Sequence, residues 1–194
     1  MESNPLLDNT LNETNFSLRK KSLFKRNNWK KSLFNIDTVI IRRIRPGDGN
    51  VLVEFYNGLS ESSKRTFRPI DYKTTLEVCE NIIKDNSPEI DKKFDLVAVY
   101  GTRIIGWGFL WNLQSGDPTF GLGVADDFQG KGLGSKLIDN VMNNARERGL
   151  KKVFLTVVQY NQVAWKLYET RGFVKYGEFV GGDGLDYFRM VAEL

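Results

Sequence analysis

Hydrophobic and polar residues follow two different periodicities along the chain, which predicts a mixed α/β fold. Short runs rich in β-branched and aromatic residues, bounded by Gly, Pro or Asp, are typical of strands. Seven segments have this pattern: residues 39–45, 94–100, 104–113, 120–124, 152–158, 173–180 and 186–191. Elsewhere, apolar residues recur at three- and four-residue spacing, as on the buried face of a helix. Helices are predicted after the N-caps Asp48 and Ser60, over residues 74–84, over residues 133–149, and after Asn161.

The stretch from Phe120 to Gly149 combines a short strand, a glycine-rich loop and the start of a helix. Leu133, Leu137 and Val141 recur at four-residue spacing, so this helix has one apolar face. In this order of elements, the backbone N–H groups of the loop and the positive end of the helix dipole can hold a phosphate. We therefore expect an anion site at the loop.

Two common phosphate-binding motifs do not fit this loop. A Walker-type loop needs Gly where the chain has Ala125, and Ser or Thr after the lysine, where the chain has Gly132. The dinucleotide fingerprint needs Gly where the chain has Ser135. What remains is the pattern Gln-x-x-Gly-x-Gly, formed by Gln129, Gly132 and Gly134. Alone, this short pattern also fits a turn that leads into an ordinary core helix.

A second motif follows the predicted strand 152–158. It runs from Asn161 to Phe173 and has the pattern Asn-x-x-Ala-x-x-Leu-Tyr-x-x-x-Gly-Phe. Together, and in this order, the two motifs resemble those of the GCN5-related N-acetyltransferases (GNAT), which bind acetyl-CoA. The resemblance covers residues 39–194 in architecture and is specific over residues 120–173.

The resemblance implies both a fold and an activity. The GNAT fold is a mixed, mostly antiparallel, twisted sheet of about seven strands flanked by about four helices. The activity is transfer of an acetyl group from acetyl-CoA to a primary amine, by direct attack and without a covalent enzyme intermediate. A CoA-binding module of the same fold without turnover, acting as a sensor or scaffold, is the alternative. The acceptor stays open among a protein N-terminus, lysine, a polyamine, an amino acid and an antibiotic amine.

The resemblance also implies roles for individual residues. In the family, backbone N–H groups of the loop bind the CoA pyrophosphate, and Asn161 matches a residue that contacts CoA. The matching loop residues are Gln129, Gly130, Lys131, Gly132, Leu133 and Gly134. Backbone N–H groups at Leu122, Gly123 and Val124 are expected to hold the thioester carbonyl, with Gly123 marking a bulge. Tyr168 matches the general acid that protonates the departing thiolate; a buried aromatic residue with a bonded hydroxyl is the other interpretation.

The acceptor side and the general base are less defined. In the family, the segment between the first helices lies over the acceptor site, and its candidates for acceptor contacts are Glu54, Tyr56, Phe67, Arg68 and Tyr72. The chain has no histidine, and the predicted strand 120–124 carries no Glu or Asp, unlike relatives with a base there. Candidates to deprotonate the amine, directly or through water, are Glu54, Glu61, Asp117 and Asp126.

The charge composition distinguishes the N-terminal residues from the rest of the chain. Residues 1–37 contain seven basic and four acidic side chains, whereas the rest of the chain is nearly neutral. We expect residues 1–37 to be a flexible basic extension that can contact polyanions, and residues 38–194 to be the acetyltransferase domain. With Cys79 as the only cysteine and no apolar run of the ~20 residues that span a membrane, we expect a cytoplasmic location. Without histidine we expect no metal site, and a homodimer is one oligomeric state that the sequence leaves open.

Overall fold

The computed structural model describes residues 34–194, which form a seven-stranded β-sheet and five α-helices. The strands are β1 Ile40–Arg43, β2 Phe94–Tyr100, β3 Arg103–Trp111, β4 Thr119–Val124, β5 Lys152–Val158, β6 Val174–Val180 and β7 Asp186–Glu193. The helices are α1 Gly49–Asn57, α2 Glu61–Thr66, α3 Leu76–Asp85, α4 Leu133–Glu147 and α5 Gln162–Glu169. The predicted α/β fold class is confirmed. Residues 1–33 lie outside the described range, so the basic extension and the domain boundary at residue 37 stay predictions.

The sheet is divided between its fourth and fifth strands. Its strand order is β1-β2-β3-β4-β5-β7-β6, and every neighbouring pair is antiparallel except β4 and β5, which run parallel. β4 and β5 pair through Thr119 and Phe154 at the start of β4. Beyond this pair the two strands separate, and a cleft opens at their carboxyl ends.

Apolar packing covers both faces of the first half of the sheet. α4 is amphipathic, and the face that it buries consists of Leu133, Leu137, Ile138, Val141, Met142 and Ala145. On the opposite face, Trp107 and Phe109 of β3 pack against Tyr56 and Phe67. Full burial of one such large apolar side chain contributes about 1.5–3 kcal/mol. The cleft therefore lies beside a rigid, well-packed core.

One carboxylate lies inside this core and orients two indole rings. Asp95 of β2 is fully buried and accepts hydrogen bonds from Trp107 Nε1 at 2.6 Å, Asn86 Nδ2 at 2.7 Å and Trp111 Nε1 at 3.2 Å. Burial raises the pKa of Asp95 to about 6, although these hydrogen bonds favour the ionised form. The indole rings of Trp107 and Trp111 on β3 are thus fixed by a polar group as well as by packing.

The predicted N-caps of the first helices have different outcomes. Ser60 caps α2, because its Oγ accepts the backbone N–H of Ser63 at 3.2 Å. Asp48 occupies the N-cap position of α1 but makes no cap bond, so its predicted capping role is wrong. Its carboxylate instead accepts two hydrogen bonds from Arg42, at 2.6 and 2.8 Å, and one from the Arg45 backbone at 3.0 Å.

Candidate active site

The loop that the sequence predicts to bind phosphate, residues 129–134, is called the phosphate loop. It follows a 3-10 turn, Asp126–Phe128, and leads into the first turn of α4. Gly132 is the N-cap residue of α4 and has a φ of 80°, in the left-handed region that favours glycine. Within residues 34–194, no side chain caps this end of α4, whereas the N-cap side chains of α2, α3 and α5 each accept a backbone N–H. The first N–H groups of α4 therefore remain available to an anion, at the positive end of the helix dipole.

Side chains of this loop mainly brace it. Gln129 Nε2 donates to the carbonyl of Val124 at 3.0 Å and to Ser63 Oγ at 3.1 Å. Lys131 Nζ donates to a carbonyl of the preceding turn, and the Leu133 side chain is buried in the core. Anion binding at this loop is thus left to backbone N–H groups. The predicted loop residues that line the cleft are Gln129, Gly130 and Gly134.

The cleft between β4 and β5 has a volume of about 1370 Å³. Its β4 wall presents backbone donors, because N–H groups on an antiparallel strand alternate between its two sides. Ala125 N donates to the carbonyl of Ile105 in β3 at 2.9 Å, so the N–H groups of Leu122 and Val124 point the other way, toward β5. Both residues line the cleft. On this side, the described sheet pairs β4 with β5 at Thr119 and with no strand beyond it.

Gly123 has a packing role in place of the predicted bulge. β3 and β4 pair in continuous register, with Gly123 opposite Trp107, so the predicted bulge is wrong. The ring of Phe67 lies over Gly123, and a Cβ at this position would be 2.3 Å from Phe67 Cε1. Phe109 lies over Gly121 in the same way, with its Cζ 2.1 Å from such a Cβ. The two glycines let aromatic rings form one wall of the cleft.

We expect Gly123→Ala to destabilise the fold by about 1–3 kcal/mol, because the added methyl group displaces the Phe67 ring in a packed core. Gly177→Ala on β6 is the matched control, since its new Cβ would meet nothing nearer than Arg189 Cδ at 3.8 Å. Denaturant unfolding of both variants and the parent measures the difference. Equal unfolding free energies for the two variants would show that the Phe67 ring is not held against β4.

Tyr168 reaches the cleft from α5. Its ring packs edge-on against Phe120, with centroids 5.7 Å apart, and against Phe173 at 6.0 Å. The residue is only 7% exposed, and burial raises the pKa of its hydroxyl. Within residues 34–194 the hydroxyl has no hydrogen-bond partner, yet Tyr168 lines the cleft. Asn161, which also lines the cleft, caps the same helix by accepting the backbone N–H of Ala164 at 3.3 Å.

Of the four carboxylates predicted as candidate bases, Asp126 lies at the cleft. It accepts hydrogen bonds from the Ser60 backbone at 2.9 Å, from Ser60 Oγ at 2.6 Å and from Ser63 Oγ at 2.7 Å. Partial burial raises the pKa of Asp126, but these hydrogen bonds outweigh it and hold the pKa below its usual value. Asp126 therefore ties α2 to the phosphate loop. The other three candidates, Glu54, Glu61 and Asp117, do not line the cleft.

Of the five residues predicted to contact the acceptor, two line the cleft and three do not. Phe67 and Arg68 line the cleft, whereas Glu54, Tyr56 and Tyr72 do not. Tyr56 is fully buried in the core, and its hydroxyl donates to the carbonyl of Ile70 at 3.2 Å. Tyr72 is partly exposed, with Lys64 Nζ 5.5 Å from its ring centroid.

Sequence reasoning missed several polar residues of the cleft, two of which form a cluster with Arg68. They are Asp183 in the β6–β7 loop and Tyr187 on β7. The glycine-rich sequence around Asp183 predicts this loop but not which of its side chains lines the cleft. The hydrogen bond from Arg68 to Asp183 joins positions 115 apart in the sequence, so no local pattern could predict it.

Residues 56–173, more than half of the chain, match the model of the acetyltransferase (GNAT) family. The chain belongs to the GNAT family. The phosphate loop, the β4 wall and Tyr168 all lie within the matched range. In the described part of this GNAT chain, no helix combines the length and the apolar character needed to cross a bilayer.

Individual relatives agree with this membership. A 5-NmdU N-acetyltransferase from Pseudomonas phage PaMx11 is 41% identical over 68 residues, covering 35% of this chain and 46% of the relative. A mycothiol acetyltransferase from Thermomonospora curvata is 39% identical over 143 residues, covering 72% of this chain and 46% of the relative. The chain thus spans about half the length of these curated relatives. A Salmonella typhimurium protein solved with its cofactor acetyl-CoA has the same fold, with a TM-score of 0.69 and 21% identity over 80% of this chain and 94% of its own.

Proposed function

We propose that this chain is an acetyl-CoA-dependent N-acetyltransferase that moves an acetyl group to a primary amine by direct attack. One observation carries the proposal: the phosphate loop, the unpaired N–H groups of β4 and the free hydroxyl of Tyr168 all face one cleft. Family membership and the N-acetyltransferase activity named for the phage relative support the same reaction. The buried thiol of Cys79, which forms no disulfide, fits a reducing compartment, and we propose a cytoplasmic location.

The chain has the groups needed to hold acetyl-CoA. The N–H groups from Gly130 to Gly134 fit a pyrophosphate, because Gly132 has no side chain and makes no cap hydrogen bond to the first N–H groups of α4. Asn161 lies on the opposite side of the cleft, on α5. When bound, acetyl-CoA supplies an activated acetyl group and a thiol leaving group. Leu122 and Val124 then donate N–H groups to the acetyl oxygen, on which negative charge develops.

Tyr168 completes the transfer on the leaving-group side. As the amine nitrogen bonds to the acetyl carbon and the carbon–sulfur bond breaks, Tyr168 gives its proton to the sulfur. The proton that the nitrogen loses as the amide forms passes to water, and water returns a proton to the Tyr168 oxygen. Burial keeps this hydroxyl protonated at neutral pH, and no described residue competes for its proton. The tyrosine is a general acid, a role that typically contributes about 10²–10⁴-fold to a rate.

Among residues 34–194, the acceptor side of the cleft provides no carboxylate with a raised pKa that could act as a base near neutral pH. The carboxylates that line the cleft are Asp126 and Asp183, and the pKa of each lies below its usual value. Burial raises the pKa of Tyr187 to about 12, so it stays protonated. We therefore propose that the amine loses its proton to water and attacks from the fraction that is already neutral.

The rate should then follow the pKa of the acceptor amine rather than that of an enzyme group. With a peptide α-amine of pKa ~7.7–8.0, kcat/KM should rise up to about pH 8 and then level off. With a lysine side-chain amine of pKa ~10.4, it should still be rising at pH 9. Both amines become neutral as pH rises, while Asp126 and Asp183 stay ionised throughout. A common plateau below pH 7.5 for both acceptors would reveal an enzyme base.

Release of free CoA thiol in the presence of amines tests the function directly. An acetyltransferase releases thiol in proportion to acetylated amine. A CoA-binding module without turnover binds acetyl-CoA in calorimetry but releases none with any acceptor, and that result would replace the proposed function by the alternative.

A further inference from the structure

The acceptor end of the cleft carries an arginine that the acetyl-transfer steps do not use. Arg68 follows α2, and its Nη2 donates to Asp183 Oδ2 at 3.1 Å, across 115 positions of sequence. The Tyr187 hydroxyl donates to the same oxygen at 2.8 Å. All three side chains line the cleft. The β6–β7 loop and the segment after α2 are thus joined by one polar cluster.

Asp183 is the anchor of this cluster. Its Oδ1 accepts the backbone N–H of Leu185 at 3.2 Å, and its Oδ2 accepts from Arg68 and Tyr187. The hydrogen bond from Tyr187 holds the pKa of Asp183 below its usual value, so the carboxylate is ionised. Because both oxygens are engaged and the side chain is only 20% exposed, Asp183 has little capacity left for an acceptor group.

Arg68 retains hydrogen-bond donors that Asp183 does not use. A guanidinium has five N–H donors, and Asp183 is its hydrogen-bond partner within the described residues. Its side chain is 40% exposed, so its remaining donors are open to the cleft and to solvent. The planar donor arrangement of a guanidinium matches the oxygens of a carboxylate or a phosphate. Anchored by Asp183, Arg68 is oriented before any acceptor arrives.

The charged groups along the cleft leave cationic donors free. Among the described residues, the charged side chains that line it are Arg65, Arg68, Asp126 and Asp183, so their charges sum to zero. Both carboxylates accept hydrogen bonds from the protein, whereas Arg68 keeps unused N–H donors. An anionic group on the acceptor can therefore bind these donors, and a second cationic group would have to compete with protein donors for the carboxylates.

Aromatic rings form the walls beside this cluster. Phe109 and Trp111 stack with their centroids 4.3 Å apart, and Phe179 and Tyr187 stack at 5.1 Å. All four rings line the cleft. Small-molecule sites commonly combine apolar walls with a few placed polar groups that fix orientation. Here the rings can hold the body of an acceptor while Arg68 fixes one end.

We propose that Arg68 binds an anionic oxygen group, a carboxylate or a phosphate, on the amine acceptor. Asp183 and Tyr187 are positioning residues for Arg68. The inference rests on the proposed N-acetyltransferase activity and narrows its substrate class to amines that carry an anionic group. Polyamines are poor acceptors in this scheme.

Matched acceptor pairs test the proposal. L-phenylalanine against phenethylamine adds a carboxylate, and phosphoethanolamine against ethanolamine adds a phosphate. With kcat/KM expressed per neutral amine, we expect the anionic member of at least one pair to be preferred about tenfold or more, the scale of a charge-assisted hydrogen bond. Which pair responds separates a carboxylate acceptor from a phosphate acceptor.

Variants then assign the preference to Arg68. Arg68→Gln should remove the preference by lowering kcat/KM for the anionic member far more than for the neutral member, and Arg68→Lys should restore part of it. Asp183→Asn should weaken the preference in the same direction, since it loosens the anchor. Arg103→Gln, an exposed arginine outside the cleft, is the control and should behave as the parent protein.

Several outcomes would overturn the inference. Equal kcat/KM within both pairs would do so, as would a preference that survives Arg68→Gln or a general loss of rate on all amines in that variant. If acetyl-CoA binds but no amine of the panel reacts, calorimetry of the anionic amines on the CoA complex decides, and absence of binding refutes the proposal. Failure to bind acetyl-CoA at all would instead refute the proposed function.

Discussion

Gly132→Asp should lower the affinity for CoA at least tenfold, which is about 1.4 kcal/mol of binding free energy. Gly132 has a φ of 80° at the N-cap of α4, where a residue with a Cβ is disfavoured. The substitution also adds a negative charge where the helix end and the loop N–H groups are proposed to meet a pyrophosphate. Titration of CoA by calorimetry measures the change.

Gly116→Asp is a matched control for this experiment. Gly116 also has a positive φ, 86°, and has open space around its Cβ position, but it precedes β4, whereas the phosphate loop follows this strand. The control introduces the same charge and similar backbone strain, so its CoA affinity should remain that of the parent protein. If folded Gly132→Asp and Gly116→Asp proteins bind CoA equally well, the loop at Gly132 is an ordinary turn into a core helix.

Tyr168→Phe should reduce turnover about 10²-fold with little change in the affinity for acetyl-CoA, the usual scale for loss of a general acid. The substitution keeps the ring that packs against Phe120 and Phe173 and removes only the hydroxyl. Because that hydroxyl has no hydrogen-bond partner in the described residues, its removal should leave the melting temperature close to that of the parent. Initial rates of thiol release and thermal melting together measure the effect.

Tyr176→Phe serves as the control for the chemical change, since Tyr176 is exposed on β6 and does not line the cleft. Its rate should be that of the parent. If the Tyr168→Phe protein has the parent rate, Tyr168 is not a general acid and contributes only to packing. A large fall in melting temperature would instead reveal a structural bond of the hydroxyl.

Elements with strong local signals were predictable from the sequence. β5 has the bounds expected from its β-branched run, and α4 begins at Leu133, directly after its glycine loop. β1 is shorter than the predicted segment 39–45, because the backbone N–H of Arg45 donates to Asp48 and ends the strand pairing. Periodicity and glycine chemistry act over a few residues, which is why they fix such elements before tertiary contacts form.

The site was predictable only where its residues belong to one local motif. Gln129, Gly132 and Tyr168 belong to two local motifs that resemble those of the GNAT family, and their roles remain proposals to be tested as described above. Contacts across the fold were not predictable, because they depend on which loops the sheet brings together. Asp126 was one of four candidate bases, yet its carboxylate accepts hydrogen bonds from Ser60 and Ser63 at α2. Asp183 was not predicted, because its place in the cleft depends on a hydrogen bond from the distant Arg68.

The separation of β4 from β5 also divides the chain in sequence. Residues 40–124 supply the four strands on one side of the gap, and residues 152–193 supply the three on the other. The covalent link between the two groups of strands is residues 125–151, which contain the phosphate loop and α4. A ligand that binds the folded chain at this link contacts the segment that joins the two groups of strands. Its binding free energy therefore adds to the unfolding free energy of the whole sheet as well as stabilising the site.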